Sequence, residues 1–210
     1  MPPSATANTL PSAFWNVIEV YNDAELLERV QAELSNAIIR PETGESRLPF
    51  RFDLDAITAS PLLQSVYAEV LRMYVSLFHN RSPVEGDYSL GPYKFKQGDL
   101  VCVSTNVASN YSRAWDGRTD NGRHPLNEFW AERFLVPDKK DDNGNNDGTL
   151  KKFSTEGLEG AWMPYGSGAL MYPGRSLAWP EMMGGVAVFD SYFEMRVLKG
   201  VPRANDNFLG

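Results

Sequence analysis

Apolar residues cluster from Ala13 to Val20, and behind Asn22-Asp23 the positions Leu26, Leu27, Val30, Leu34 and Ile38 recur at the spacing of one helical face. An N-capping aspartate ahead of that run predicts a helix over about 24–38, preceded by the end of another. Ser60-Pro61 then offers a cap and a proline suited to a first helical position. Leu62, Leu63, Val66, Tyr67, Val70, Leu71, Tyr74 and Val75 follow as one apolar face, which predicts a helix over about 61–75. From Tyr88 to Thr105 the pattern shortens to β-like runs, Tyr93 to Phe95 and Leu100 to Ser104. The turn-forming Lys96-Gln97-Gly98-Asp99 between them predicts a small hairpin within about 88–105. Residues 109–149 read as loop around the aromatic segment Phe129 to Phe134, and a last helix is expected over about 175–193. No repeat or linker divides the chain, so a single domain over 1–210 is expected, mainly α with small β.

Composition narrows the function. With 210 residues, 42% apolar and 12% aromatic, the chain can bury a core. A net charge of -7 lacks the positive footprint that nucleic acid or an anionic surface would require over a broad face, so nucleic acid is excluded as a partner. The single cysteine, Cys102, lies in an apolar run and reads as a small core residue, and no cysteine-based metal cluster can be assembled. No basic-then-apolar leader and no run of about 18 apolar residues is seen, so neither a signal peptide nor an integral membrane segment is expected, which suits a cytoplasmic or peripheral location. The Asn-x-Ser sequons at Asn80 and Asn110 read as chance occurrences.

Isolated motifs carry little chemistry. Asn143 to Gly148 resembles the start of a calcium loop, but Ser154 stands where the bidentate glutamate belongs. His79 and His124 have no second ligand at helical spacing, and His79 reads as a turn residue. Gly166-Ser167-Gly168 by itself is a flexible turn. Glu69 and Arg72 fall three apart on one helix, beside its apolar stripe, where an exposed pair contributes only about 0.2–0.5 kcal/mol.

The order of three segments changes that reading. Glu69-Val70-Leu71-Arg72, Ala131-Glu132-Arg133-Phe134 and Tyr165-Gly166-Ser167-Gly168 through Tyr172-Pro173-Gly174-Arg175-Ser176-Leu177-Ala178 follow one another along the chain. They resemble the K-helix Glu-x-x-Arg, the Pro-Glu-Arg-Phe segment and the haem-binding loop of the cytochrome P-450 family. Ala7 to Trp15 is similar to the distal I helix of the branch that includes sterol 7α-hydroxylases and prostacyclin synthase. The resemblance implies the C-terminal portion of that α+β fold: an I-helix remnant at about 7–20, a J-like helix at 24–38, the K helix at 61–75, the haem-loop region at 162–178 and the L helix at 175–193. It also implies haem as cofactor, with Tyr165, Gly166, Gly168, Tyr172, Gly174 and Arg175 at the cofactor positions, and Glu69, Arg72 and Arg133 as a structural charge cluster. Asn8 falls at the oxygen-activation position.

The departures from the family pattern bear on activity. Where the family places the cysteine whose thiolate ligates iron and favours O–O cleavage, this chain has Tyr172. Tyrosinate can ligate haem iron, but its ring is longer and rigid, and a phenol ionises only near pH 10 in water. Leu170 replaces a residue that is often basic, and Pro180 falls inside the last helix. By the same resemblance, less than half of a full-length member is present, without its anchor and the roof of its substrate pocket. Apolar faces on the first helix and at Tyr67, Leu71 and Tyr74 would then need self-association or a second polypeptide.

These residues imply a degenerate family member without monooxygenase activity, derived from an oxidase of sterol- or terpenoid-like or secondary-metabolite compounds, with haem absent or weakly held. Two alternatives stay open. One is a haem-free isomerase or cyclase acting on a small hydrophobic molecule. The other is a haem protein with Tyr172 as metal ligand and peroxidase-like activity.

Overall fold

Local capping and tertiary capping together set the first helices. In the computed structural model, which describes residues 9–39, 51–111, 113–138, 151–168 and 171–198, helix α1 spans Thr9–Asn22 and α2 spans Ala24–Ser35. Asp23 caps α2, its carboxylate accepting from Glu25 N at 3.0 Å and Leu26 N at 3.1 Å. Leu26, Val30 and Leu34 turn inward. The helix stops at Ser35, short of the expected 38, because Ile38 and Ile39 leave it to form strand β1. β1 pairs antiparallel with β2, Arg51–Phe52. A short helix α3, Leu54–Ala59, follows, capped by Asp53.

Helix α4, Pro61–Tyr74, is the centre of the fold. Every residue from Ser65 to Arg72 is buried, so the helix is enclosed on all sides. The side chain of Ser60 does not cap it. Instead Glu33 of α2 reaches across, its two carboxylate oxygens accepting from Leu62 N at 3.1 Å and Leu63 N at 3.2 Å. Tyr67 and Leu71 are buried in this core, which corrects the expectation that they form an exposed face. Tyr74 stacks flat on Trp15 of α1, with centroids 4.2 Å apart, and its hydroxyl donates to Glu19. Leu10 and Phe14 of α1 do remain exposed.

The β-rich part pairs differently from the sequence reading. Strand β3, Phe78–Arg81, pairs with β6, Val101–Ser104, while β4, Tyr88–Leu90, pairs with β5, Tyr93–Phe95. The hairpin therefore closes through Gly91-Pro92, and Lys96 to Asp99 is a connection to the outer strand. His79 is a strand residue opposite Val103, not a turn residue. Cys102 is exposed, not core, because it lies on a two-stranded sheet that leaves it open to water.

The expected loop over 109–149 contains regular structure. Helix α5, Thr105–Tyr111, runs into it, a 3₁₀ turn spans Arg113–Arg118, and β7, Leu135–Pro137, pairs with β8, Lys151–Phe153. These segments are too short to show a period. Helix α6, Arg175–Tyr192, carries Pro180 in its interior and packs on α1, α3 and α4. The fold is thus mainly α, with four two-stranded sheets among the described residues. No helix among them is long and apolar enough to cross a membrane. Asn8, Leu170 and the segment from Asn143 to Gly148 lie outside the described residues.

Candidate functional site

Burial of α4 on all sides forces its polar residues to find internal partners. Glu69 and Arg72, one helical turn apart, form a bidentate pair: Nε donates to Oε2 at 2.7 Å and Nη2 to Oε1 at 2.9 Å. Arg133, on the segment ahead of β7, donates from Nε to Glu69 Oε1 at 2.8 Å. All three side chains are fully buried, so the surface-pair reading of Glu69 and Arg72 is corrected. Burial depresses the Arg133 pKa, with Glu69 opposing and Arg72 adding to that effect.

The remaining guanidinium hydrogens of Arg133 are spent on backbone carbonyls. Arg133 donates to Arg118 O at 2.8 Å, His124 O at 3.1 Å, Pro125 O at 3.0 Å and Glu128 O at 2.9 Å. Arg118 answers with bonds to Ser154 O at 3.1 Å and Glu156 O at 3.1 Å. Two arginines therefore organise a loop whose own carbonyls have no ladder to join. Arg118 carried no motif that could have marked it in the sequence.

The loop before α6 hangs from α4 by aromatic residues. Trp162 Nε1 donates to Ala68 O at 3.1 Å, and the hydroxyls of Tyr165 and Tyr67 share a hydrogen bond at 2.7 Å. Trp179 of α6 lies over Tyr67 with centroids 4.9 Å apart. Burial raises the pKa of both tyrosines, most strongly that of Tyr67. Tyr67 was read only as part of an apolar stripe, and nothing in its spacing announced the bond to the loop.

Within the loop, Gly166 and Gly168 have positive φ, 87° and 64°, where a side chain would be strained. Tyr172 N donates to Tyr165 O at 2.8 Å and closes the loop on itself. The ring of Tyr172 lies against Gly174: a Cβ there would fall 2.7 Å from the ring's Cζ and Oη, so a side chain at 174 would displace the half-exposed ring. Arg175 Nη1 donates to Tyr172 O at 3.1 Å. Tyr165, Gly166, Gly168, Tyr172 and Gly174 thus lie in the loop that leads into α6, and Arg175 is the first residue of that helix. The charge cluster of Glu69, Arg72 and Arg133 sits apart from Tyr172, with no bond between them.

An enclosed central helix with an internal Glu-Arg-Arg cluster stands next to a glycine-bearing loop that opens a long C-terminal helix. The chain belongs to the cytochrome P-450 family, whose sequence profile it matches over residues 4–208. It is 35% identical to the cytochrome P-450 monooxygenase efuG of Hormonema carpetanum over 98% of its own length, and 34% identical to fsoE of Humicola fuscoatra over 93%. It is also 25% identical to cytochrome P-450 7A1 of Oryctolagus cuniculus over 91%. The chain spans 38%, 35% and 36% of those three proteins.

The family implies haem, and the residues fit it in part. Gly168 has open space where a side chain would stand, while at Gly174 that space holds the ring of Tyr172. The donor set does not match thiolate ligation, because the only cysteine of the chain is Cys102 on β6, and the loop offers the phenol of Tyr172 instead. That side chain is 40% exposed and folded over Gly174. No group of three or more His, Cys, Asp or Glu side chains able to hold a metal occurs among the described residues.

Proposed function

We propose that this chain is a cytochrome P-450-family protein that has lost haem-thiolate monooxygenation. One observation carries the reading: the loop leading into α6 has Tyr172 at the position that the family resemblance gives to the ligand, and no thiol is within it. Thiolate donation is what drives O–O cleavage in this family, and a phenol does not supply it. The glycine framework and the buried charge cluster persist as structure, because each buried charge depends on the others. The parent activity is an oxidation of a sterol- or terpenoid-like molecule. Support for that class comes from a relative named cholesterol 7-alpha-monooxygenase of Cricetulus griseus, 26% identical over 93% of this chain.

The test is the absorption spectrum of the chain expressed with added haem, oxidised and reduced under carbon monoxide, beside the Tyr172→Cys variant. The expected result is no stoichiometric Soret band in the parent chain and a gain of thiolate-type carbonyl signal in Tyr172→Cys. A stoichiometric Soret band that disappears in Tyr172→Phe would replace this reading with tyrosinate ligation. Reductase-dependent hydroxylation by the parent chain would overturn it outright.

A further inference from the structure

The C-terminal end of α6 meets α1 and α2 over a cleft of about 500 Å³. Tyr21 of α1, Leu27 and Gln31 of α2 and residues 190–195 line it. That volume suits a small molecule, since ligand sites fall at about 300–1,000 Å³. Helix α6 has 18 residues, so this end lies about 27 Å from the loop that carries Tyr172. The cleft is therefore separate from that loop.

Among the described residues two carboxylates line the cleft and no base does. Asp190 is held in place: Tyr21 Oη donates to its Oδ1 at 3.3 Å and Gln31 Nε2 to the same oxygen at 2.7 Å. Both donors are neutral, so the charge is not cancelled, and Oδ2 takes neither bond. Neither Asp190 nor Glu194 forms an ion pair with a described lysine or arginine. Arg29 of α2 is engaged by Glu132, and Arg196, two residues past Glu194, lies outside the lining. The helix end adds charge of the same sign, because the last turn of α6 has no basic residue to offset its carbonyls. Aromatic residues complete the lining. Tyr21, Tyr192 and Phe193 contribute three rings, and Leu27 and Met195 are apolar. Phe189, one turn earlier, packs on Phe193 with centroids 5.4 Å apart.

We propose that this cleft binds a small organic cation, a protonated or quaternary amine with an apolar body. Asp190 and Glu194 offset its charge, and the rings of Tyr21, Tyr192 and Phe193 receive its carbon groups. A ring face attracts a cation held within about 6 Å of its centroid, and the attraction grows as water is displaced. Carboxylates alone would suit a hydrated metal ion, which keeps its water and gains little from apolar walls. Three rings and two aliphatic side chains favour instead a cation whose charge is wrapped in carbon.

The experiment is titration of the full chain with benzyltrimethylammonium, read by calorimetry and by saturation-transfer NMR of the probe. Benzyl alcohol, which keeps the ring without the charge, is titrated beside it. Saturable binding of the cation is expected, about tenfold or more tighter than that of the alcohol. Asp190→Asn with Glu194→Gln should weaken the cation about tenfold and leave the alcohol unchanged. An amide oxygen at 190 still accepts from Tyr21 and Gln31, so far-ultraviolet circular dichroism should not change. Glu194→Gln alone, at an exposed position, should weaken the cation about threefold and separates a lost charge from a folding defect. Phe193→Leu, which stays apolar but loses the ring face, should also weaken it about threefold. Equal affinity for the cation and the alcohol, or no saturable binding of the cation up to roughly 10 mM, would overturn the proposal. So would a lysine-bearing peptide that displaces the probe and binds more tightly, since the occupant would then be a protein.

Discussion

Glu69 holds two arginines at once, and its loss leaves both guanidiniums in the interior without a counter-charge. Glu69→Ala should destabilise the chain by about 3–5 kcal/mol, read from urea unfolding, and a loss under 1 kcal/mol would contradict a buried cluster. The sequence put Glu69 and Arg72 at pairing distance and the family resemblance joined them to Arg133, but the spacing itself did not show burial, because three residues apart is the same on a wet face and a dry one. Capping shows a similar division. Asp23 was legible as a cap because its partners are two and three residues away, whereas α4 takes its cap from Glu33, 29 residues upstream of Leu62. Glu33→Ala should therefore cost about 1–2 kcal/mol and Ser60→Ala clearly less, in the same unfolding assay. Tyr21 adds a pH dependence. Burial first, then Asp190, pushes its pKa from 10.0 up to about 12. The folded state keeps the proton that the unfolded state releases, so this contribution is intact below pH 10 and is lost as the pH rises toward 12. Tyr21→Phe should flatten that part of the alkaline stability profile relative to the parent chain, and identical profiles would remove Tyr21 from the account.

At the scale of elements, the long helices were readable and the short ones were not. Helix α4 announces itself by eight apolar positions on one face and a proline at its first turn, and these are local properties. Helix α3, α5 and the strands β7 and β8 are three to seven residues long, shorter than the window in which a period can be recognised. Two turn-like stretches, Gly91-Pro92 and Lys96 to Asp99, compete to close the hairpin. The choice fell to the first because β6 is taken by β3, a partner more than twenty residues away. Pro180 was legible as an interruption, yet α6 continues through it. Without its N–H, the carbonyl of Ser176 loses its helical donor, and packing against α1 and α4 holds the helix together. Pro180→Ala should raise stability by about 1–3 kcal/mol, and a lower midpoint in urea would show that the proline fits a bend which the core requires.

For the whole molecule, aromatic packing joins what the chain separates. Phe134 is fully buried and meets Trp115, Phe153 and Trp162 edge-on or stacked, with centroids 5.7, 6.1 and 5.5 Å away. Its N–H also donates to Ser65 of α4 at 3.1 Å. Phe134→Ala should cost about 3–5 kcal/mol and loosen the loop ahead of α6 together with β7, seen as a joint loss of hydrogen-exchange protection in both. By itself the sequence determined the family, through three ordered motifs, and the long helices, through apolar periodicity and caps. It also determined that the loop leading into α6 has a phenol and no thiol, because residue identity needs no fold. Only the tertiary structure decided which charges are buried, which strands pair, that Cys102 faces water and that the ring of Tyr172 lies on Gly174. Those outcomes depend on contacts between residues far apart in the chain, and local spacing carries no information about them.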